Sequence, residues 1–250
     1  MVEKKTALTT IRSAIAAIFA ALVCVATVIL SIYVPQTRGY FNIGETMVYT
    51  TALLFGPIIG AFAGGVGSMF ADLILGYSVY APATLVIKAC EGFVVGFLAG
   101  KTPEAGSKAR WLFFTLAMGT LSGAALGYVG ASYYSGPITL DLGLPFWGMT
   151  TLDFTIPVEF WIVLAGLIIL LTGVVAVISE PRLGWMVLSI FVGGAVMVSG
   201  YFFYQQFFLD VAAFFEIPFN IAQMLVGMVI AVPLTRIIRR SIPSIKELGL

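Results

Sequence analysis

The sequence predicts an all-α integral membrane protein, a helical bundle of about eight membrane segments with both termini cytoplasmic. Three observations carry this. Of the 250 residues, 60% are hydrophobic and only 10% charged, whereas a soluble domain carries about 25% charged residues. Mean hydropathy is +1.05. Uncharged runs near 20 residues, the length that crosses a bilayer core, recur along the whole chain. This composition excludes a soluble globular protein, a disordered chain and a disulfide scaffold. The spans leave no room for a soluble catalytic domain. A net charge of +1 creates no field that recruits nucleic acid.

The first segment, 11–34, is uncharged after Arg12 and long enough to cross with some tilt. It is too long for a signal-peptide core, and Val34-Pro35-Gln36-Thr37 is a poor cleavage site, so it is expected to stay. The apolar stretch 44–75 is too long for one comfortable helix. Gly56-Pro57 breaks it into 45–55 and 58–75. The remaining segments are 83–100, 111–133, 158–178, 185–204 and 217–238. A loop at 134–157, with Pro137, Pro145, Pro157 and several aromatics, is either an ordered cap or a plain connector.

The charges support the even count. With eight segments, Lys4, Lys5, Arg12, Lys101, Lys108, Arg110, Arg182, Arg236, Arg239, Arg240 and Lys246 all fall inside, eleven of the thirteen basic residues. Arg38 is outside and Lys88 is within a segment. Asp141, Asp153, Asp210 and Glu216 are outside. Such a distribution follows the positive-inside rule. A single crossing at 45–75 would move Lys101, Lys108 and Arg110 outside.

Gly56, Gly60, Gly64 and Ser68 recur every four residues, as do Gly92, Gly96 and Gly100. Small residues at this step share one helix face and let backbones approach closely. Asp72 extends the first stripe and Lys88 leads into the second. Lys88 and Glu91 are three residues apart and share a face. A charge at this depth costs at least about 3 kcal/mol and is rarely aimed at lipid, so both face the bundle interior or a wet cavity. They form either a structural ion pair or a polar site opening outward. At the same outer level stand Asn42, Glu45, Tyr77, Tyr80, Tyr201, Tyr204, Gln205, Asn220 and Gln223. Together they suggest a pocket with aromatic walls that suits a small, flat, polar organic molecule.

The chain has no histidine, which removes the commonest general base and metal ligand. No nucleophile–base pair, metal cluster or paired carboxylates at helical spacing is present, so no enzyme and no metal site is expected. Cys24 and Cys90 form no CxxC and are expected as small buried core residues. In the first segment Ala16 and Ala20, like Ala17 and Ala21, are four apart and give a flat face. Such a face is common in membrane helices and equally suits docking of another membrane subunit.

An ordered set of motifs sharpens the picture. It runs from Gly39-Tyr40-Phe41-Asn42-Ile43-Gly44-Glu45 through Phe55-Gly56-Pro57, Ala71-Asp72-Leu73, Gly76-Tyr77 and Tyr80-Ala81-Pro82-Ala83-Thr84 to Ile87-Lys88-Ala89-Cys90-Glu91-Gly92. Gly200-Tyr201-Phe202 and Pro218-Phe219-Asn220-Ile221-Ala222-Gln223 follow near the end. The set resembles the substrate-binding S components of energy-coupling factor (ECF) transporters, over residues 10–101 and 185–240. Within that family it is most similar to the group carrying riboflavin, hydroxymethylpyrimidine and pyridoxine-like compounds.

The resemblance implies a single membrane domain over 1–250. Its small helical bundle captures a vitamin outside, docks on a transmembrane coupling subunit driven by two ATPases, topples and releases its cargo inside. The chain itself would hold no cofactor, since ATP is used by the partner ATPases. It would sit in the plasma membrane of a bacterium or archaeon. The positions implied for substrate are Asn42, Glu45, Asp72, Tyr80, Lys88, Tyr201, Asn220 and Gln223, with Glu91 orienting Lys88. Those implied for docking are Ala16, Ala17, Ala20 and Ala21. The family has six spans, so 109–184 reads as an inserted helical pair around the outer loop. Two other functions compete: a facilitator without a motor, whose glycine stripes would line a path, and a structural membrane subunit without ligand.

Overall fold

The structure, a computed structural model, describes residues 2–34, 39–101, 108–144, 148–178, 181–209 and 213–242. Arg38, Pro145, Asp210 and Lys246 lie outside the described residues. The elements in order are α1 (Val2–Ile29), β1 (Ser31–Val34), β2 (Gly39–Asn42), α2 (Glu45–Leu75), α3 (Ala81–Gly100), α4 (Lys108–Tyr133), β3 (Gly136–Leu144), β4 (Gly148–Ile156), α5 (Val158–Ile178), α6 (Pro181–Tyr204) and α7 (Ile217–Ser241). A π-helical turn, Gln205–Leu209, and a 3₁₀ turn, Ala213–Glu216, join α6 to α7. Among the described residues, five stretches are long and apolar enough to cross a membrane: Thr9–Ile29, Glu45–Leu75, Ala81–Gly100, Leu183–Leu209 and Ala213–Ser241. Val158–Val174 is a shorter apolar helix.

The break expected at Gly56-Pro57 is present. Gly56 has φ 79° and ψ −170°, a conformation that glycine adopts freely and L side chains rarely do. The chain folds back there. A methyl group placed on Gly60 would lie 2.8 Å from Ala52, and one on Gly64 would lie 3.1 Å from Val48. Neither contact is possible along a straight helix, so 45–55 and 57–75 form an antiparallel hairpin. The second arm then packs antiparallel on α3. Gly60 faces the backbone of Gly92, Gly56 faces Gly96, and Gly64 faces Lys88. The two glycine stripes are therefore one seam, in register, closed by backbone contact.

Hairpin α2, with α3, α6 and α7, forms the body of the bundle, and α1 packs on α2. At the interface with α6 the glycines belong to α6: Gly193 meets Val95 and Gly200 meets Ile87. Both α3 and α7 start with a proline in the first turn, Pro82 and Pro218, where the missing N–H costs nothing. Helix α5 packs chiefly on α4, so this pair stands at the periphery. The all-α expectation omits one feature, a four-stranded antiparallel sheet in the order β2-β1-β3-β4. Its β3–β4 hairpin fills most of the 134–157 loop, which is thus an ordered structure. It joins β1 through Ser31↔Gly143 and Ile32↔Leu142.

All helix ends at the sheet side lie opposite the ends that carry Lys101, Arg236, Arg239 and Arg240. The turn at Gly56 belongs to this basic end, where an Arg239 Nη donates to the Leu53 carbonyl. One expectation fails: Cys24 is half-buried and Cys90 is exposed. In a membrane helix the outward face is as apolar as the core, so an apolar neighbourhood does not tell the two apart.

Candidate functional site

The glycine seam changes character toward the sheet end. One more step of four leads on α2 to Ser68 and Asp72, and on α3 from Lys88 back to Thr84 and Tyr80. All five line one cavity that is open at its mouth. Opposite stand Tyr201 from the end of α6 and Asn220 and Gln223 from the first turns of α7. Strand β2 closes the site with Gly39, Tyr40 and Asn42, and Glu216 and Thr27 complete the wall.

The charged core lies on the α2–α3 side. Lys88 Nζ donates to Glu45 Oε1 and, at 3.0 Å, to Glu91 Oε2. Tyr49 OH donates to Glu91 Oε1 at 2.7 Å. These side chains are almost wholly buried. The ammonium also lies 5.6 Å from the centre of the Tyr201 ring. An ion pair at this depth is tolerated because Lys88 and Glu91 are each held by two groups. Glu45 Oε2 nevertheless has no hydrogen-bond partner.

Asp72 is 2% exposed. Its Oδ1 accepts from Tyr40 OH at 2.6 Å, while Oδ2 has no hydrogen-bond partner. Burial first, and then the Asp72 carboxylate, push the Tyr40 phenol well above its ordinary range, so Tyr40 stays a donor. Its ring meets Tyr77 at 4.5 Å. Tyr201 OH bonds Thr84 Oγ1 at 3.0 Å.

The amides tie the strand to the last helix. Gln223 Oε1 accepts from the Asn42 backbone N–H at 2.7 Å, and its Nε2 donates to Asn220 Oδ1 at 3.1 Å. Asn42 Oδ1 in turn accepts from Gly44 N–H at 2.8 Å, which fixes the entry into α2. The periphery is anchored to the same rim. Tyr134 OH donates to the Phe215 carbonyl, and Trp161 Nε1 donates to the Tyr134 carbonyl at 3.1 Å.

Seven of the nine positions expected from the sequence therefore meet at one cavity: Asn42, Asp72, Tyr80, Lys88, Tyr201, Asn220 and Gln223. Glu45 and Glu91 stand behind Lys88 and hold it. Sequence reasoning missed Tyr40, Ser68, Thr84 and Glu216. Ser68 and Thr84 were within reach, since each is one step of four from a residue already singled out. Of the four alanines of α1, Ala20 is buried and Ala16 half-buried, whereas Ala17 and Ala21 are exposed. Gly67 explains the division, because it abuts the Ala20 carbonyl.

Fold and site define a multi-pass membrane protein with a buried polar pocket at one end of its bundle. Residues 7–141 match the family described as ECF-type riboflavin transporter, S component. That stretch is more than half of the chain, and the chain belongs to this family. It is therefore a substrate-binding subunit of a membrane transporter. The match runs through α4, so the likeness is not confined to residues before 109. The chain is also similar to a Pyrococcus woesei protein described as an uncharacterized protein in gap 3'region. The two are 44% identical over 111 residues, covering 44% of this chain and 71% of that protein.

Proposed function

We propose that this chain captures a small water-soluble vitamin or vitamin precursor outside the cell and delivers it inward. It docks on a transmembrane coupling subunit driven by two ATPases and catalyses no reaction itself. The observation that carries the reading is the buried cavity whose polar wall converges from α2, α3, α6, α7 and β2. Asn42, Asp72, Tyr80, Lys88, Tyr201, Asn220 and Gln223 contact the substrate, and Glu45 and Glu91 hold Lys88 in place.

The pocket faces outward and the basic end inward, as the positive-inside rule requires. The folded-back α2 supports the even count, because its two arms serve as two of eight segments with both termini inside. The α4–α5 pair packs at the periphery of the bundle, and since the family match includes α4, only α5 of the pair lies outside the matched stretch. Riboflavin is named in the family's description, and the tyrosine walls suit a flat ring. The host membrane is the plasma membrane of a bacterium or archaeon. A motor-free facilitator is disfavoured by the seam itself, since backbone contact between Gly60 and Gly92 leaves no path there.

The test is a thermal-shift screen of the detergent-purified chain. The panel holds riboflavin, hydroxymethylpyrimidine, thiamine, pyridoxine, folate, biotin and pantothenate. A ligand at 100 times its Kd stabilises the folded state by about 2.7 kcal/mol. One compound is expected to raise the melt clearly at low micromolar concentration. A cooperative melt unmoved by the whole panel rejects the reading.

A further inference from the structure

The deep groups of the cavity are closed in. Ser68, Asp72, Thr84 and Lys88 are between 2% and 5% exposed, so a molecule that is to touch them must first move an outer wall. Two such walls lie outside the long helices. One is strand β2, which brings Gly39, Tyr40 and Asn42 to the cavity. The other is the 3₁₀ turn Ala213–Glu216, which brings Glu216. The two walls meet, since a methyl group on Gly39 would collide with the Glu216 carboxylate.

Neither wall is firm by itself. Strands β1 and β2 pair over only four residues each, and a two-stranded hairpin is marginal until a third strand or a packed face supports it. A 3₁₀ turn is short and poorly hydrogen-bonded. Both walls are held from behind by the same peripheral unit, α4–β3–β4–α5. Strand β3 supplies the third strand, pairing Gly143 with Ser31 and Leu142 with Ile32. Those two residues of β1 stand opposite Asn42 and Phe41 of β2, beside the cavity. On the other flank Tyr134, just past the end of α4, is 4% exposed and donates its hydroxyl proton to the Phe215 carbonyl in the turn. Its ring meets Phe215 edge-on at 5.9 Å and Phe219, the neighbour of Asn220, at 5.2 Å. Trp161 of α5 donates to the Tyr134 carbonyl and packs against Gly130. One unit thus grips both sides of the mouth.

We infer that the α4–β3–β4–α5 unit is the brace of the pocket, with Tyr134 and the β3 backbone as positioning groups that set how readily β2 and the Ala213–Glu216 turn part to admit cargo. This inference rests on the reading of the cavity as the substrate site. None of the unit's described residues lines the cavity, so it acts through the two walls and governs the rate of access.

The experiment measures opening directly and needs no ligand. The detergent-purified full chain carries Cys24→Ala and Cys90→Ala. In that background Ser68→Cys places one thiol in the cavity wall, and a second version with Ser189→Cys places one in the fully buried core of α6. The rate of labelling by a charged methanethiosulfonate reagent is compared in three forms. These are the parent, Tyr134→Phe, and a trimmed chain in which Asn-Gly replaces 140–152. The trimmed turn joins Thr139 to Asp153, which already stand opposite each other. Trimming removes Leu142 and Gly143 and keeps α4, α5 and Tyr134. Each change is expected to speed labelling at position 68 by about five- to tenfold, the scale of one ordinary hydrogen bond lost from the closed state. Labelling at position 189 is expected to stay at the parent rate. Position 68 labelled at the parent rate in Tyr134→Phe overturns the inference, even where the trimmed chain does not fold. Acceleration at both positions overturns it too, because it marks loosening of the whole bundle. Either result leaves the vitamin screen, and with it the carrier reading, to stand on its own.

Discussion

The seam between the second arm of α2 and α3 is built on one spacing and ends in two opposite ways. Toward the basic end, Gly56, Gly60 and Gly64 lie against Gly96, Gly92 and Lys88 with backbone touching backbone. Toward the sheet end the same step places Ser68, Asp72, Thr84 and Tyr80, and the helices enclose a cavity. Spacing by four decides that two helices pair. The side chain at each step decides whether the pair is closed or holds a site. In lipid, where no hydrophobic force drives helices together, close approach at the glycines supplies the packing that lets the polar end stay open.

The largest effect is expected at the open end. Lys88→Ala leaves Glu45 and Glu91 buried without their cation. Removing one partner of a buried pair costs about 3–5 kcal/mol. The variant should melt far below the wild type and bind no ligand. Lys88→Met combined with Glu91→Gln should recover part of the stability without restoring binding. If Lys88→Ala melts like the wild type, the carboxylates are not held by Lys88 and the polar end is not the costly one.

A smaller effect is expected at the closed end. In Gly60→Ala the new methyl lies 2.8 Å from Ala52 and 2.9 Å from the Gly92 carbonyl, where backbone must give way. Overpacking costs about 1–3 kcal/mol, which outweighs the roughly 1 kcal/mol that alanine gains over glycine in a helix. Ligand affinity should change little, because the cavity begins about two turns away. Gly166, in peripheral α5, has nothing within 4 Å of such a methyl. Gly166→Ala should therefore be neutral or stabilising. Equal destabilisation of the two variants would show that the seam is not uniquely tight.

Much of this contrast is legible in the sequence. Small residues every four, a proline after Gly56 and charges inside apolar runs specify the seam, the hairpin and the buried site. Helix-scale periodicity placed Asp72 and Lys88, because each continues a stripe of small residues at a step of four on its own helix. The sheet escaped it, although 136–144 and 148–156 carry a period-2 signal: Ile138, Leu140 and Leu142 alternate with Thr139 and Asp141, and Leu152, Phe154 and Ile156 with Asp153 and Thr155. Prolines and a membrane-wide helical pattern masked the alternation. Tyr49 and Tyr40 were not legible for another reason. Each is defined by one carboxylate far along the chain, Glu91 and Asp72, and such a bond leaves no mark on local spacing. The tie from Gln223 to the backbone of Asn42 is of the same kind.

The smallest effect on stability is expected on α1, and there the comparison turns from inside the bundle to outside it. In the most apolar window of α1 only 17% of residues are buried, against 50% for Glu45–Leu75. Ala17 and Ala21 sit on its outward face beside exposed Ile18, Leu22 and Val25, whereas Ala20 faces Gly67. A flat patch among larger apolar side chains gives another helix a place to approach. Ala17→Leu with Ala21→Leu should shift stability by no more than about 0.5 kcal/mol, as exposed changes do. The same substitution at Ala20 should damage the α1–α2 contact. Ligand binding should survive in the double variant, while uptake in cells carrying the coupling subunit and its ATPases should be lost. Uptake at the wild-type rate would move the docking face elsewhere on the bundle, with the peripheral α4–α5 pair the next surface to alter.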